Sequence, residues 1–190
     1  MRRALGVVLA ATALASAVAA ADDVDVEAVS LAAGDDGITL NADFAFELNS
    51  RLEDALDNGV PLYFVVEFEI FRPRWYWFDE KIGAAELSLR LSFHALTRTF
   101  RVSTGALHQS YTKLDDAVRA LSRVRGWHVL PRGALKPDTV YHAYVRMRLD
   151  TAQLPKPFQV SALASRDWTL ASRWRKWDVS GAITASEAVR

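Results

Sequence analysis

The feature that most constrains this chain is a period of two. Ile38, Leu40, Ala42, Phe44, Phe46 and Leu48 alternate with Thr39, Asn41, Asp43 and Glu47. In an extended segment this spacing puts every apolar side chain on one side of the pleat, the pattern of a half-buried antiparallel strand. The pattern recurs with Leu62, Phe64, Val66, Phe68 and Ile70 inward, and Tyr63, Glu67, Glu69 and Phe71 outward. After a turn around 79–83 it returns with Ala85, Leu87, Leu89, Leu91 and Phe93 on the core side and Arg90 and His94 among the outer residues. Tyr141, Ala143, Val145, Met147 and Leu149 form a further core row, with His142, Tyr144, Arg146 and Arg148 facing out. Asp35-Asp36-Gly37 is a turn signal, which makes 24–31 the hairpin partner of the first row. Strands are also expected at 97–104, 139–149, 158–164 and 174–179. All six prolines fall at strand ends or in loops, where a missing amide donor does least harm. The predicted fold is mainly β, a single antiparallel β-sandwich, immunoglobulin-like in general form, with two short helices.

Those helices are predicted over 51–58, capped by Ser50 or Asn49 and ended by Gly59, and over 113–125, capped by Thr112 and ended by Gly126. In the second, Leu114, Val118, Leu121 and Val124 make the apolar stripe, with Asp115 a weak capping-box partner. The 190 residues carry no repeat, low-complexity tract or linker that would divide them. A chain of this size buries about 70% of its unfolded surface without staples. Its 51% hydrophobic content excludes a disordered protein, and the absence of cysteine excludes disulfide scaffolds, thiol enzymes and thiolate zinc sites. Lys and Arg balance Asp and Glu at 23 each, which argues against a nucleic-acid partner, since such proteins are usually strongly basic.

The N-terminus has the layout of a secretory signal peptide. Arg2 and Arg3 precede an apolar run over 5–18, followed by the small residues Ala17, Ala19, Ala20 and Ala21 and then Asp22 and Asp23. That run of about 14 residues is shorter than the roughly 20 needed to span a bilayer core. The expected organisation is a leader over 1–21, cleaved on export to the periplasm, and a single β-sandwich domain over 22–190. No transmembrane span is expected after cleavage, and the mature chain loses two arginines and no acid.

A search for chemistry gives little. His94, His108, His128 and His142 have no metal-pair spacing, and no cofactor is expected. Ser110-Tyr111-Thr112-Lys113 matches S-x-x-K, but the S-D-N and K-T-G partners are absent and Thr112 is better used as a helix cap. Glu67 and Glu69 lie on one strand face about 7 Å apart, a separation open to a glycosidase pair. Arg90, Arg146 and Arg148 offer them simpler partners, with Arg90 expected opposite or diagonal to both.

The residues that stand out are aromatic and cationic together. Arg72-Pro73-Arg74-Trp75-Tyr76-Trp77-Phe78 lies at the tip of the central hairpin, and Trp168 and Arg173-Trp174-Arg175-Lys176-Trp177 lie near the C-terminus. An alternating pleat cannot bury Trp75, Tyr76 and Trp77 together, so at least one ring reaches the surface. Trp and Arg are the residues most enriched at binding hot spots. Arg72, Arg74, Trp75, Tyr76, Trp77 and Trp174 are therefore the candidate binding residues. The competing reading is that these rings close the core at the sandwich edges, with arginines stacked over them.

The run Val60-Pro61-Leu62-Tyr63-Phe64, the run from Phe71 to Trp77, and the later 141–149 followed by Asp150, Leu154-Pro155 and Asp167-Trp168 resemble a pattern in small exported bacterial proteins. These are the domain of unknown function 4390 family, also called proline-rich signal-peptide proteins. The resemblance covers about 26–179. It implies export and no established activity, brings no catalytic residues, and suggests a periplasmic accessory to a membrane sensor kinase, beside whose gene such genes tend to sit. Three readings follow: a non-enzymatic binding or accessory protein of the envelope that contacts a membrane-bound protein or sensor kinase through the hairpin tip; a cell-wall or glycan hydrolase using Glu67 or Glu69; and a purely structural envelope component.

Overall fold

In the computed structural model, which describes residues 24–183 and 187–189, the alternating segments form strands that pair antiparallel throughout. The leader expected over 1–21 lies outside the described residues. β1 (Val24–Gly34) and β2 (Gly37–Phe46) form the first hairpin. Its two-residue turn is Asp35-Asp36, as expected, and Gly37 sits at φ 140°, where an added Cβ would come within 2.3 Å of the Leu130 carbonyl oxygen. β3 (Leu62–Arg72) and β4 (Glu80–His94) form the second hairpin. β5 (Thr99–Thr104), β6 (Leu107–Tyr111), β7 (Arg123–Pro131), β8 (Val140–Leu149), β9 (Arg175–Ser180) and β10 (Glu187–Val189) complete the set.

These strands make two sheets, β10-β1-β2-β7 and β6-β5-β4-β3-β8-β9. Leu31, Leu40, Ala42 and Phe44 of the first meet Leu62, Phe64, Val66, Phe68, Ile70, Leu91, Ala143, Val145 and Met147 of the second in one core. The expected antiparallel sandwich is present, and the inward rows read from the sequence are the rows that are buried or half-buried. Gly83 of β4 lies where a Cβ would come within 2.4 Å of Leu130 Cδ2, so the missing side chain lets β7 lie close to the large sheet.

Among the described residues there are three α-helices, not two. α1 (Ser50–Asp57) starts at Asn49, whose Oδ1 accepts from the Leu52 amide at 3.0 Å, and it buries Leu52, Ala55 and Leu56. α2 (Leu114–Leu121) is shorter than expected. Lys113, not Thr112, holds its cap position and makes no side-chain cap bond. Residues 123–125 open β7 instead of extending the helix. Val124 sits on a 3.6 stripe and also between two exposed arginines in a strand alternation, and pairing with Ala42 decides for the strand. Gly126, at φ 58°, then marks an irregularity in β7 and donates its N–H to Asn41 Oδ1 at 2.8 Å.

The strand expected over 158–164 is α3 (Lys156–Ala164). Pro155 and Pro157 flank its first residue, and proline suits the first turn of a helix because its missing N–H has no intrahelical partner there. The hairpin turn also comes earlier than 79–83. It spans 73–79, and β4 begins at Glu80. β6 escaped the sequence reading because its residues are nearly all exposed and carry no inward row.

Phe68 is fully buried at the centre of β3 and packs against Trp177 at 6.3 Å between ring centroids. Phe68→Ala is expected to cost about 3–5 kcal/mol in equilibrium denaturant unfolding, the range for a large core cavity. A loss below about 1 kcal/mol would show that the two sheets do not share this core.

Candidate functional site

The outer face of the six-stranded sheet carries the chemistry. On β3 it presents Tyr63, Val65, Glu67, Glu69 and Phe71. The register sets Val65, Glu67, Glu69 and Phe71 opposite Arg148, Arg146, Tyr144 and His142 of β8. Glu67 is 8% exposed and lies directly opposite Glu86 of β4. Two guanidiniums hold it: Arg146 Nε donates to Oε2, and Arg148 Nε donates to Oε1 at 3.0 Å. Burial pushes the Glu67 carboxyl up, but the hydrogen bonds and charges of Arg146 and Arg148 outweigh it, so its pKa lies below the ordinary value. Glu69 is bonded to Lys81 Nζ at 2.7 Å. Arg90 does not join either acid as expected. It pairs with Tyr63 across the ladder, its guanidinium 5.7 Å from that ring. Charge pairing accounts for both carboxylates, and the downward move of the Glu67 pKa is the opposite of what a general acid near neutral pH requires.

Aromatic rings continue this face toward the hairpin tip. Phe71 and Tyr144 meet edge to face at 5.6 Å and 89°, and Tyr144 meets Trp174 at 6.5 Å and 85°. Trp174 owes its outward direction to the alternation of β9, because it lies an odd number of residues from inward-facing Trp177 and Val179. The segment from Ala171, opposite Arg148, to Arg175, opposite Val145, spans one step more than β8 does between its two partners. That bulge ends the regular pairing ahead of β9, and Trp174 stands outward, half-exposed, with the Arg146 guanidinium 4.5 Å from its ring centroid. Its neighbours in sequence go the other way. Trp168 and Trp177 are core residues, so the C-terminal cluster divides between packing and surface.

At the tip itself the rings are out. Trp75, Tyr76, Trp77 and Phe78 are 94%, 66%, 70% and 84% exposed. They pair edge to face with one another, Trp75 with Tyr76 at 5.1 Å and Trp77 with Phe78 at 6.2 Å. Arg72 and Arg74 have a different occupation: both bind Glu80 Oε2, Arg74 at 2.5 Å. The bonds from Arg74 and then Arg72 hold the Glu80 carboxyl below its ordinary pKa. These two candidate residues clamp the base of the turn, while Trp75, Tyr76 and Trp77 form its surface.

Between tip and sheet lies a groove of about 700 Å³. Its walls are the rings of Phe71, Trp77, Phe78, Tyr144 and Trp174, together with the carboxylates of Glu69 and Asp79. Sequence reasoning found Trp77 and Trp174 but not the groove, whose walls come from β3, the turn, β8 and the bulge before β9. A wider cleft of about 970 Å³ near β2 and α2 has Asp25, Glu27, Glu47 and Glu53 in its walls along with Arg119 and Arg123. It was equally invisible in the sequence. Ser110 of the S-x-x-K match lies exposed on edge strand β6, outside any helix. Among the described residues no group of three or more His, Cys, Asp or Glu could hold a metal ion, and no helix is long and apolar enough to cross a membrane.

The chain belongs to the family described as Domain of unknown function (DUF4390), whose model matches residues 21–178. No curated protein and no solved structure matches the chain.

Glu67→Gln leaves two guanidiniums facing a neutral amide. The expected loss is about 2–4 kcal/mol at pH 7, toward the low end of the range for breaking a buried pair because both arginines are about a third exposed. Because the folded pKa is depressed, this contribution is present above the unfolded pKa of about 4.3 and is lost as pH falls through the folded value. Denaturant unfolding of both proteins across acid pH should therefore show the gap closing as the solution is acidified. A gap independent of pH would mean that shape, not charge, is what the glutamine changes.

Proposed function

We propose that this is an exported, non-enzymatic binding or accessory protein of the bacterial envelope, acting through the aromatic tip of the β3–β4 hairpin. The observation that carries the reading is the run of four exposed rings at 75–78. Fully burying a large apolar side chain is worth about 1.5–3 kcal/mol, and folding makes little use of these four. Exposed apolar clusters of this kind mark interaction surfaces, and Trp and Tyr give much contact area for little lost side-chain freedom. The Arg72 and Arg74 clamp on Glu80 supports the reading by holding the turn in shape before contact, which lowers the ordering cost of binding. Trp174 borders the same surface.

The leader-like N-terminus supports export to the periplasm. The resemblance to genes found beside a sensor kinase supports a membrane-bound signalling protein as the partner. In this arrangement the sandwich is a rigid holder, and the tip reads a protein surface without chemistry of its own.

The test is crosslinking in native envelope through a photoreactive residue at Trp75. The double variant Trp75→Ala/Trp77→Ala keeps the Arg–Glu80 clamp and, in a pull-down from envelope extracts, should retain none of the proteins that crosslinking at position 75 identifies. The triple variant that adds Arg74→Ala should behave alike, and circular dichroism should report an unchanged fold for both. Recovery of the same partners with both variants, in a pull-down from envelope extracts, would refute the assignment of the tip.

A further inference from the structure

The groove beneath the tip has a chemistry distinct from that of the tip. Its five aromatic walls include the stepped series Phe71, Tyr144 and Trp174, each ring nearly perpendicular to the next. Aromatic faces carry negative potential, and a cation placed over them is attracted, more strongly as water is excluded. The molecule already uses these rings in that way. The Lys81 ammonium lies 5.8 Å from the Phe71 centroid, Lys176 lies 5.8 Å from Tyr144, and Arg146 covers Trp174.

The polar groups in the walls have one sign. Glu69 and Asp79 line the groove, and no Lys, Arg or His does so among the described residues. Asp79 Oδ1 accepts only a long bond, 3.4 Å, from the Arg74 amide, so most of its acceptor capacity stays open. A neutral apolar ligand would gain nothing from carboxylates and would pay to desolvate them. Glu69 is held by Lys81, so Asp79 is the carboxylate open to a cation, which the ring faces also favour. The volume falls within the usual range for small-molecule sites.

We propose that this groove binds a small organic cation of the alkylammonium class, its charged head set against Trp77, Tyr144 and Trp174 and drawn by Asp79. The groove shares Trp77 and Phe78 with the tip, but its ligand is tested on the purified protein without any partner. Failure of one reading therefore leaves the other standing.

The probe is choline, titrated at constant ionic strength while the indole N–H resonances are followed by NMR. The control is 3,3-dimethyl-1-butanol, which has the same shape without the charge. Choline should shift the Trp77 and Trp174 indoles while leaving buried Trp168 and Trp177 still. The neutral isostere should bind about tenfold more weakly, as expected when cation–π attraction carries the contact. Asp79→Asn and Trp174→Ala should each weaken choline binding at least severalfold. Asp79 is at the surface of the turn, so its variant keeps the test valid if Trp174→Ala disturbs the sheet edge. Equal binding of the isostere would reduce the groove to a plain apolar surface and overturn the proposal. So would binding unchanged in Asp79→Asn, or no shift of the Trp77 and Trp174 indoles.

Discussion

Glu67 is the point where strand pairing, burial and charge meet. It sits mid-way along β3, the strand that pairs along most of its length with β4 on one side and β8 on the other. The inner face of β3 fills the core, yet its outer face is also largely covered, with Val65 and Glu67 both buried. A carboxylate there, opposite Glu86, would be a heavy penalty without a counter-charge. Arg146 and Arg148, two residues apart on one face of β8, supply it from both sides. The pair they make with Glu67 ties β3 to β8 on the face opposite the core. It also fixes Arg146, which in turn lies over Trp174. The charge cluster thus sets the floor on which the aromatic corner is built.

Much of the fold could be read from the sequence because period two has one physical meaning when one face is buried. The rows at 38–48, 62–70 and 141–149 are unambiguous for that reason. Legibility ended where two periods coincide or where local chemistry overrides pattern. Val124 fits a helix stripe and a strand alternation equally, and only pairing with β2 separates them. In 158–164 the letters alternate, but prolines at 155 and 157 favour a helix start, and a backbone preference of that kind outweighs a weak alternation. β6 has no buried row at all, so its existence rests on hydrogen bonding to β5, which the sequence does not display.

The candidate site was legible in a different measure. Four successive aromatic residues in a turn cannot all point inward, and the expectation that some ring reaches solvent needed nothing beyond the pleat. The roles of the arginines did not follow from that argument. Arg72 and Arg74 look like contact residues in the sequence because their acceptor, Glu80, lies across the turn and is brought back only when β3 and β4 pair. Trp174 and Trp177 are three apart, an odd spacing that puts them on opposite faces of an extended segment, one outward and the other in the core. The groove lay beyond reach because no two of its wall segments are neighbours in the chain except those of the turn and β3.

A consistent division of labour results. The cations near the tip are engaged within the molecule: Arg72 and Arg74 with Glu80, Lys81 with Glu69, Arg146 and Arg148 with Glu67. This leaves a corner whose outward character is set by ring faces, by Asp79 and by Lys176 over Tyr144, with no excess of one sign. A surface of that kind gains little from long-range steering, which needs an unbalanced field. Its selectivity has to come at short range, from the shape of the exposed rings at the tip and from the sign of the potential in the groove below them. The rigid sheet, held by the core on one face and by the Glu67 pair on the other, is what keeps both in place.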